Sequence, residues 1–234
     1  MNSRIVFVAI ASLLAAPVHA GWTKPEAPDF SNWKDADIYV GLEVGRSKTD
    51  HDAAGVNTLG FFQNWGQDQY RAKSSGIKIG ADYTDWRFDL SYREYSKEDF
   101  VTLSFPGSPG PAAFFYRGDS KIKAGFLSAY FDFIKEGKLD VYLGVGVGAA
   151  DVDVSVNDFV VRGSGSQTNF AWQAELGIDY HVIDSLTLSA GVRRVDLGSP
   201  EIDMVSVGGA VPSGDYEMDD LKSTEAYLGI RYSF

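Results

Sequence analysis

Leu139-Asp-Val-Tyr-Leu-Gly-Val-Gly-Val-Gly148 is the stretch from which the fold can be read. Leu139, Val141, Leu143, Val145 and Val147 take every second position, and Tyr142, Gly144, Gly146 and Gly148 stand between them. Successive side chains of a strand point to opposite faces, so this is a strand with one aliphatic face and one face of mostly small residues. The same period continues on both sides. It runs through Ile38, Val40, Leu42 and Val44; through Ile77, Ile79, Ala81 and Tyr83; and through Trp86, Phe88, Leu90 and Tyr92. Further on it marks Phe170 to Tyr180, Leu186 to Val192, and Ala226 to Phe234. One more strand takes Ile122, Ala124, Phe126, Ser128 and Tyr130 as its apolar face, less cleanly, because Leu127 and Phe131 are apolar on the other face. These are eight strands, and no window carries a helical period of comparable length.

The connections fall into two classes. Those after the second, fourth and sixth strands are short, around Thr84-Asp85, residues 134–138 and residues 182–184. Those after the first, third, fifth and seventh are long, roughly 47–68, 97–117, 152–168 and 197–219, and rich in Gly, Pro, Ser, Asn and Asp. Tight turns at one end and long loops at the other are the pattern of an up-and-down transmembrane barrel. Both ends of the chain then lie on the short-turn side.

Alternation alone also fits a soluble eight-stranded barrel, whose apolar face points inward. Three features favour the membrane form. The polar face carries Gly41, Gly45, Gly76, Gly80, Gly125, Gly144, Gly146, Gly148, Gly177, Gly191 and Gly229. Glycine weakens a strand interior, and a narrow eight-stranded lumen supplies a steric reason for it there. The charges of that face also balance: Lys78, Arg87, Arg93, Lys123, Arg193 and Arg231 against Glu43, Asp82, Asp89, Glu175, Asp179 and Glu225. Such a balance suits a buried network, where an unpaired ion is costly. Finally, Tyr83, Trp86, Tyr130, Tyr180 and Phe234 fall near the short turns on the apolar face, and Tyr70, Tyr92, Phe170 and Trp172 fall toward the loops. Two aromatic belts around an aliphatic band match the two interfaces of a membrane. The expected fold class is an all-β, eight-stranded, antiparallel up-and-down transmembrane β-barrel.

The N-terminus reads as an address. Arg4 precedes an apolar run from Ile5 to Ala16, and Val18-His19-Ala20 sets small residues at −3 and −1, so cleavage is expected between Ala20 and Gly21. The run has 12 residues, short of the about 20 that a spanning helix needs. Residues 1–20 are thus a signal peptide, 21–35 an extended periplasmic leader, and 36–234 the barrel. The formal charge of −11 disfavours a nucleic-acid partner. With no cysteine, disulfides, thiolate metal sites and a cysteine nucleophile are excluded.

Tyr227-Leu-Gly-Ile-Arg-Tyr232-Ser-Phe234 resembles the final-strand signal of small eight-stranded outer-membrane barrels, the family that includes the OmpA transmembrane domain, OmpX and the opacity-type surface proteins. Ala129-Tyr-Phe-Asp-Phe133 is similar to the strand ends of porin-family barrels. The resemblance covers residues 36–234. It implies an outer-membrane location in a Gram-negative bacterium, with loops outside and both termini periplasmic. It implies that Tyr232 and Phe234 form the signal read by the barrel-assembly machinery, and that outer-membrane lipids and lipopolysaccharide surround the wall.

Candidate chemistry is sparse. His51 sits between Asp50 and Asp52 in the first long loop, and His181 lies at a short turn on the other side, so the two cannot share a site. No lipid-A deacylase or palmitoyltransferase motif is recognisable. Asp151-Val-Asp153-Val-Ser155 lacks the Gly and Glu of a calcium loop, having Val156 and Arg162 in their places. Gly144-x-Gly146-x-Gly148 has strand spacing, so it is not a dinucleotide fingerprint. The loop from Phe105 to Tyr116 combines prolines with Phe114, Phe115 and Tyr116, which either face a partner or begin the fourth strand. The expectation is a non-enzymatic barrel without cofactor or metal, which displays its loops for envelope integrity, adhesion or immune contact. A narrow solute channel is the alternative, and a lipid-A-modifying enzyme ranks third.

Overall fold

A computed structural model describes residues 36–50, 53–58, 61–62, 70–104, 114–157, 161–206, 214–219 and 221–234. The expected signal peptide with its Ala20/Gly21 cleavage site, the leader, His51 and residues 105–113 lie outside the described residues. Among the described residues there are twelve strands: β1 (Asp37–Asp50), β2 (Ala53–Thr58), β3 (Phe61–Phe62), β4 (Tyr70–Tyr83), β5 (Trp86–Ser104), β6 (Phe114–Glu136), β7 (Leu139–Asn157), β8 (Val161–Ile183), β9 (Leu186–Asp196), β10 (Glu201–Ser206), β11 (Gly214–Asp219) and β12 (Lys222–Ser233). Eight of them close a ring in the order β1-β4-β5-β6-β7-β8-β9-β12, with β12 returning to β1, and all these pairings are antiparallel. The tight turns after β4 and β6 contain Thr84 (φ 55°) and Gly137 (φ 63°), which take the left-handed backbone that hairpin turns use.

The faces divide as a membrane barrel requires. On β1, Leu42 and Val44 are 59% and 61% exposed, whereas Tyr39, Glu43, Ser47 and Thr49 are buried. Ile77, Ile79, Leu90, Val147, Leu188, Val192, Leu228 and Ile230 are likewise exposed on neighbouring strands. Apolar residues outside and polar ones inside invert the arrangement of a soluble barrel. Tyr180 and Phe234 lie exposed near the short turns, and Tyr92 and Phe170 lie exposed toward the other end.

Strand β6 corrects the sequence reading. Ile122, Ala124, Phe126, Ser128 and Tyr130 are all buried in the lumen, while Leu127 is 61% exposed. Tyr130 therefore belongs to no outer belt, and Lys123 and Gly125 face outward rather than inward. Apolar residues occupy both faces of this strand, so periodicity could not choose between them. Ser120, Ser128 and Asp132 share the parity of Phe126 and carry the signal that the choice ignored.

The long connections are also more ordered than their composition implies. β6 and β8 each have 23 residues, against the roughly 9–11 that a tilted strand needs to span a membrane. Beyond the ring, β10 pairs with the start of β8, β11 with β10, and β2 with β11. Much of the expected loop sequence at 47–68, 152–168 and 197–219 is therefore β-ladder, because a strand that outgrows its partner offers unpaired N–H and C=O groups for the next segment. β6 begins at Phe114, so Phe114, Phe115 and Tyr116 open the strand.

Candidate functional site

The inward polar residues gather in two clusters. The first, toward the long-loop end, centres on Glu43 of β1. Its Oε1 accepts a hydrogen bond from Arg93 Nε at 2.9 Å and stands 2.8 Å from Arg193 Nη2, and its Oε2 lies 3.8 Å from Lys78 Nζ. Arg193 of β9 also reaches Glu225 Oε2 at 3.1 Å and Glu175 Oε2 at 3.4 Å. Tyr227 donates to Glu175 at 2.6 Å, Tyr95 donates to Glu225 at 3.3 Å, and the Ser74 hydroxyl donates to Glu225. Arg93 is further held by Gln173 Oε1 at 3.2 Å.

The second cluster lies toward the short turns. Arg87 donates to Asp179 at 2.5 Å and to Asp132 at 3.0 Å. Arg231 lies 3.2 Å from Asp179 and 3.7 Å from Asp82. Tyr rings face these guanidiniums: Arg87 is 4.4 Å from the centroid of Tyr142, Arg193 is 4.1 Å from Tyr227, and Arg231 is 5.0 Å from Tyr39. Cation–π contact strengthens where water is excluded, as it is here.

The lumen brings together eleven of the twelve charged residues expected there. Lys123 is the exception, and Asp132 and Asp140, which the sequence reading missed, join them. Among the described residues that leaves five cations, Lys78, Arg87, Arg93, Arg193 and Arg231. They face eight carboxylates: Glu43, Asp82, Asp89, Asp132, Asp140, Glu175, Asp179 and Glu225. The even balance expected from sequence is thus corrected to an acidic excess. Asp89 shows it most plainly, since its Oδ2 accepts from Tyr39 at 3.2 Å and its Oδ1 has no hydrogen-bond partner. Of the inward tyrosines, Tyr142 falls on the polar parity in the sequence reading, whereas Tyr130 is placed on the other face. Tyr39, Tyr130, Tyr142 and Tyr227 each lie directly across from a glycine, at Gly80, Gly144, Gly177 and Gly191, and their rings occupy the space a Cβ would need. The glycines of the polar face therefore have a local reason beyond a narrow lumen.

His181 lies inside the short-turn rim, where its Nε2 is 2.7 Å from Asp140 Oδ2 and its Nδ1 is 3.1 Å from the Thr187 hydroxyl. The order of groups imitates a nucleophile relay, but Thr187 is 3% exposed and faces the packed lumen, where no acyl substrate can approach it. Asp151 and Asp153 face outward opposite Lys123 and Lys121, and no group of acidic or histidine side chains fit to hold a metal occurs among the described residues.

A model of the outer membrane protein beta-barrel domain matches residues 6–234. The chain belongs to that family. Among its relatives is outer membrane protein PagN of Salmonella typhimurium, 30% identical over 227 residues, a match covering 84% of this chain and 90% of PagN. Two solved structures share the fold. Neisserial surface protein A is 20% identical with a TM-score of 0.54, covering 84% of this chain and 97% of that one. OprG from Pseudomonas aeruginosa is 13% identical with a TM-score of 0.59, covering 84% and 96%. Family membership places this barrel in the outer membrane of a Gram-negative bacterium.

Proposed function

We propose that this family member is a non-enzymatic surface barrel that holds its long strands outside the cell for contact with a host or neighbouring surface, with both termini in the periplasm. The observation that carries this reading is the height of the wall: β6 and β8 have about twice the residues that a span requires. The lumen supports it, since its charge network and tyrosines fill an eight-stranded interior barely wide enough for side chains. In this reading the clusters around Glu43 and Asp179 form a plug that stiffens the scaffold.

Cells of a non-adherent Gram-negative strain displaying the protein are expected to attach to epithelial monolayers above an empty-vector control. Replacing residues 105–113 by a Gly-Ser linker is expected to lower attachment without lowering heat-modifiable barrel on gels. Attachment equal to the vector control would sink the adhesion reading. Planar-bilayer recordings of refolded protein are expected to stay flat, and stepwise openings abolished by changes at Glu43 or Arg93 would favour the channel instead. Lipid A masses with and without the protein are expected to match.

The exposed rings of Tyr232 and Phe234, 5.2 Å apart, suit recognition of the last strand by the assembly machinery before closure. Deleting Phe234 is expected to deplete folded barrel from outer-membrane fractions, read as loss of the unboiled gel band.

A further inference from the structure

Above the aliphatic band, two sides of the outer wall carry charge in opposite ways. On β5, β6 and β7 the signs alternate: Glu94 stands opposite Lys123, Lys123 opposite Asp151, and Lys121 opposite Asp153. On β1 and β4 they do not. Arg46 stands opposite Lys73, and Lys48 opposite Arg71, with all four side chains exposed on the outer face. On β12, Arg46 and Lys48 stand opposite Ala226 and Thr224, and no carboxylate among the described residues pairs with any of the four. Like charges directly across a ladder destabilise a sheet, so this square of cations carries an unoffset cost within the chain.

What lies beneath the square suggests what offsets it. Arg46 is two residues along β1 from Val44, or about 7 Å, and below Val44 lies an apolar groove of about 780 Å³ that β1 and β4 line together with residues of β5, β6, β9 and β12. Val40, Leu42, Ile77, Ile79, Leu90 and Tyr92 form much of its wall. A ligand that fills both features has an anionic head and hydrocarbon tails. Basic side chains next to a membrane attract anionic headgroups, each contributing favourably at the surface. We infer that the β1–β4 face binds one phosphorylated lipid of the outer leaflet, its phosphates between Arg46, Lys48, Arg71 and Lys73 and an acyl chain along the groove. The inference rests on the proposed orientation only for which leaflet supplies the lipid.

The test uses full-length mature protein refolded into phosphatidylcholine vesicles with or without diphosphoryl lipid A in both leaflets, so that it does not depend on orientation. The readout is the temperature at which the unboiled gel band is lost. Wild type is expected to gain a clear rise in midpoint with diphosphoryl lipid A and much less with the dephosphorylated form. R46S/K73S is expected to lose at least half of that rise, while the charge-matched K121S/K123S keeps it. In pure phosphatidylcholine R46S/K73S is expected to be at least as stable as wild type, because a repulsive pair is gone, and this also shows that the variant folds. Equal rises in the two double variants would overturn the inference. So would a full rise from soluble inorganic phosphate or dextran sulfate without lipid A, which would reassign the patch to a free anion.

Discussion

The variant Glu43→Gln is expected to lower the unfolding free energy of the barrel in lipid vesicles by about 3–5 kcal/mol, the cost of breaking a buried ion pair from one side. Glu43 is 5% exposed, and it is the ion-pair partner of both Arg93 and Lys78 among the described residues, while also sharing Arg193. Glutamine keeps the shape but leaves Arg93 and Lys78 without a carboxylate, and its amide protons point at cations. Urea unfolding followed by tryptophan fluorescence measures the loss. Asp89→Asn supplies the contrast. Asp89 is equally buried but has no cation within ion-pair distance among the described residues, and the lumen already holds more carboxylates than cations. An asparagine still accepts from Tyr39, so the change is expected to stay within about 1 kcal/mol or to stabilise, since a buried charge without a partner is itself a cost. Equal losses for the two variants would refute the view that Glu43 is the hub.

The second large effect is steric. A Cβ added to Gly177 would lie 2.5 Å from both Cζ and the hydroxyl of Tyr142 and 2.9 Å from the hydroxyl of Tyr227. Those rings cannot swing away cheaply, because Tyr142 and Tyr227 hydrogen-bond each other and Tyr227 donates to Glu175. Gly177→Ala is expected to cost about 1–3 kcal/mol, the usual range for overpacking a filled interior, and Gly177→Val more. At Gly229 the nearest atoms to a new Cβ are Leu42 O at 3.4 Å and Ser189 Cβ at 3.5 Å, ordinary contacts. Gly229→Ala is therefore expected to be neutral or to stabilise by about 0.5 kcal/mol, by reducing the freedom of the unfolded chain. The same unfolding measurement ranks them. A Gly177→Ala barrel as stable as wild type would show that the tyrosines do not need the glycine.

The strands whose two faces differ in chemistry were legible from the chain alone. Val40, Leu42, Leu90, Val145, Leu228 and Ile230 alternate with polar or glycine neighbours, so a period of two separates the faces, and the glycines and charges of the other face turn the aliphatic one outward. The charged residues of the lumen were legible for the same reason, with Glu43 and Arg193 on the parity opposite to the aliphatics.

Tertiary structure decided what depends on neighbours across the sheet. In β6 both parities are apolar, and only the packing of Phe126 against Arg93 (5.4 Å from its ring), with Ser128 donated to by Gln173, settles which face is inside. Lys123 moved outward with that choice, and Asp132 moved in. Register across strands, which no local pattern encodes, set Tyr142 over Gly177 and Lys73 beside Arg46. The β-ladders in turn-rich segments such as Glu201–Ser206 form because adjacent strand edges are already there to pair with. The chain's own periodicity, with the glycines and charges of the polar face, thus determined which way each clearly two-faced strand turns. Closure of the ring decided who meets whom, because a side chain's face is a local property and its partner is not.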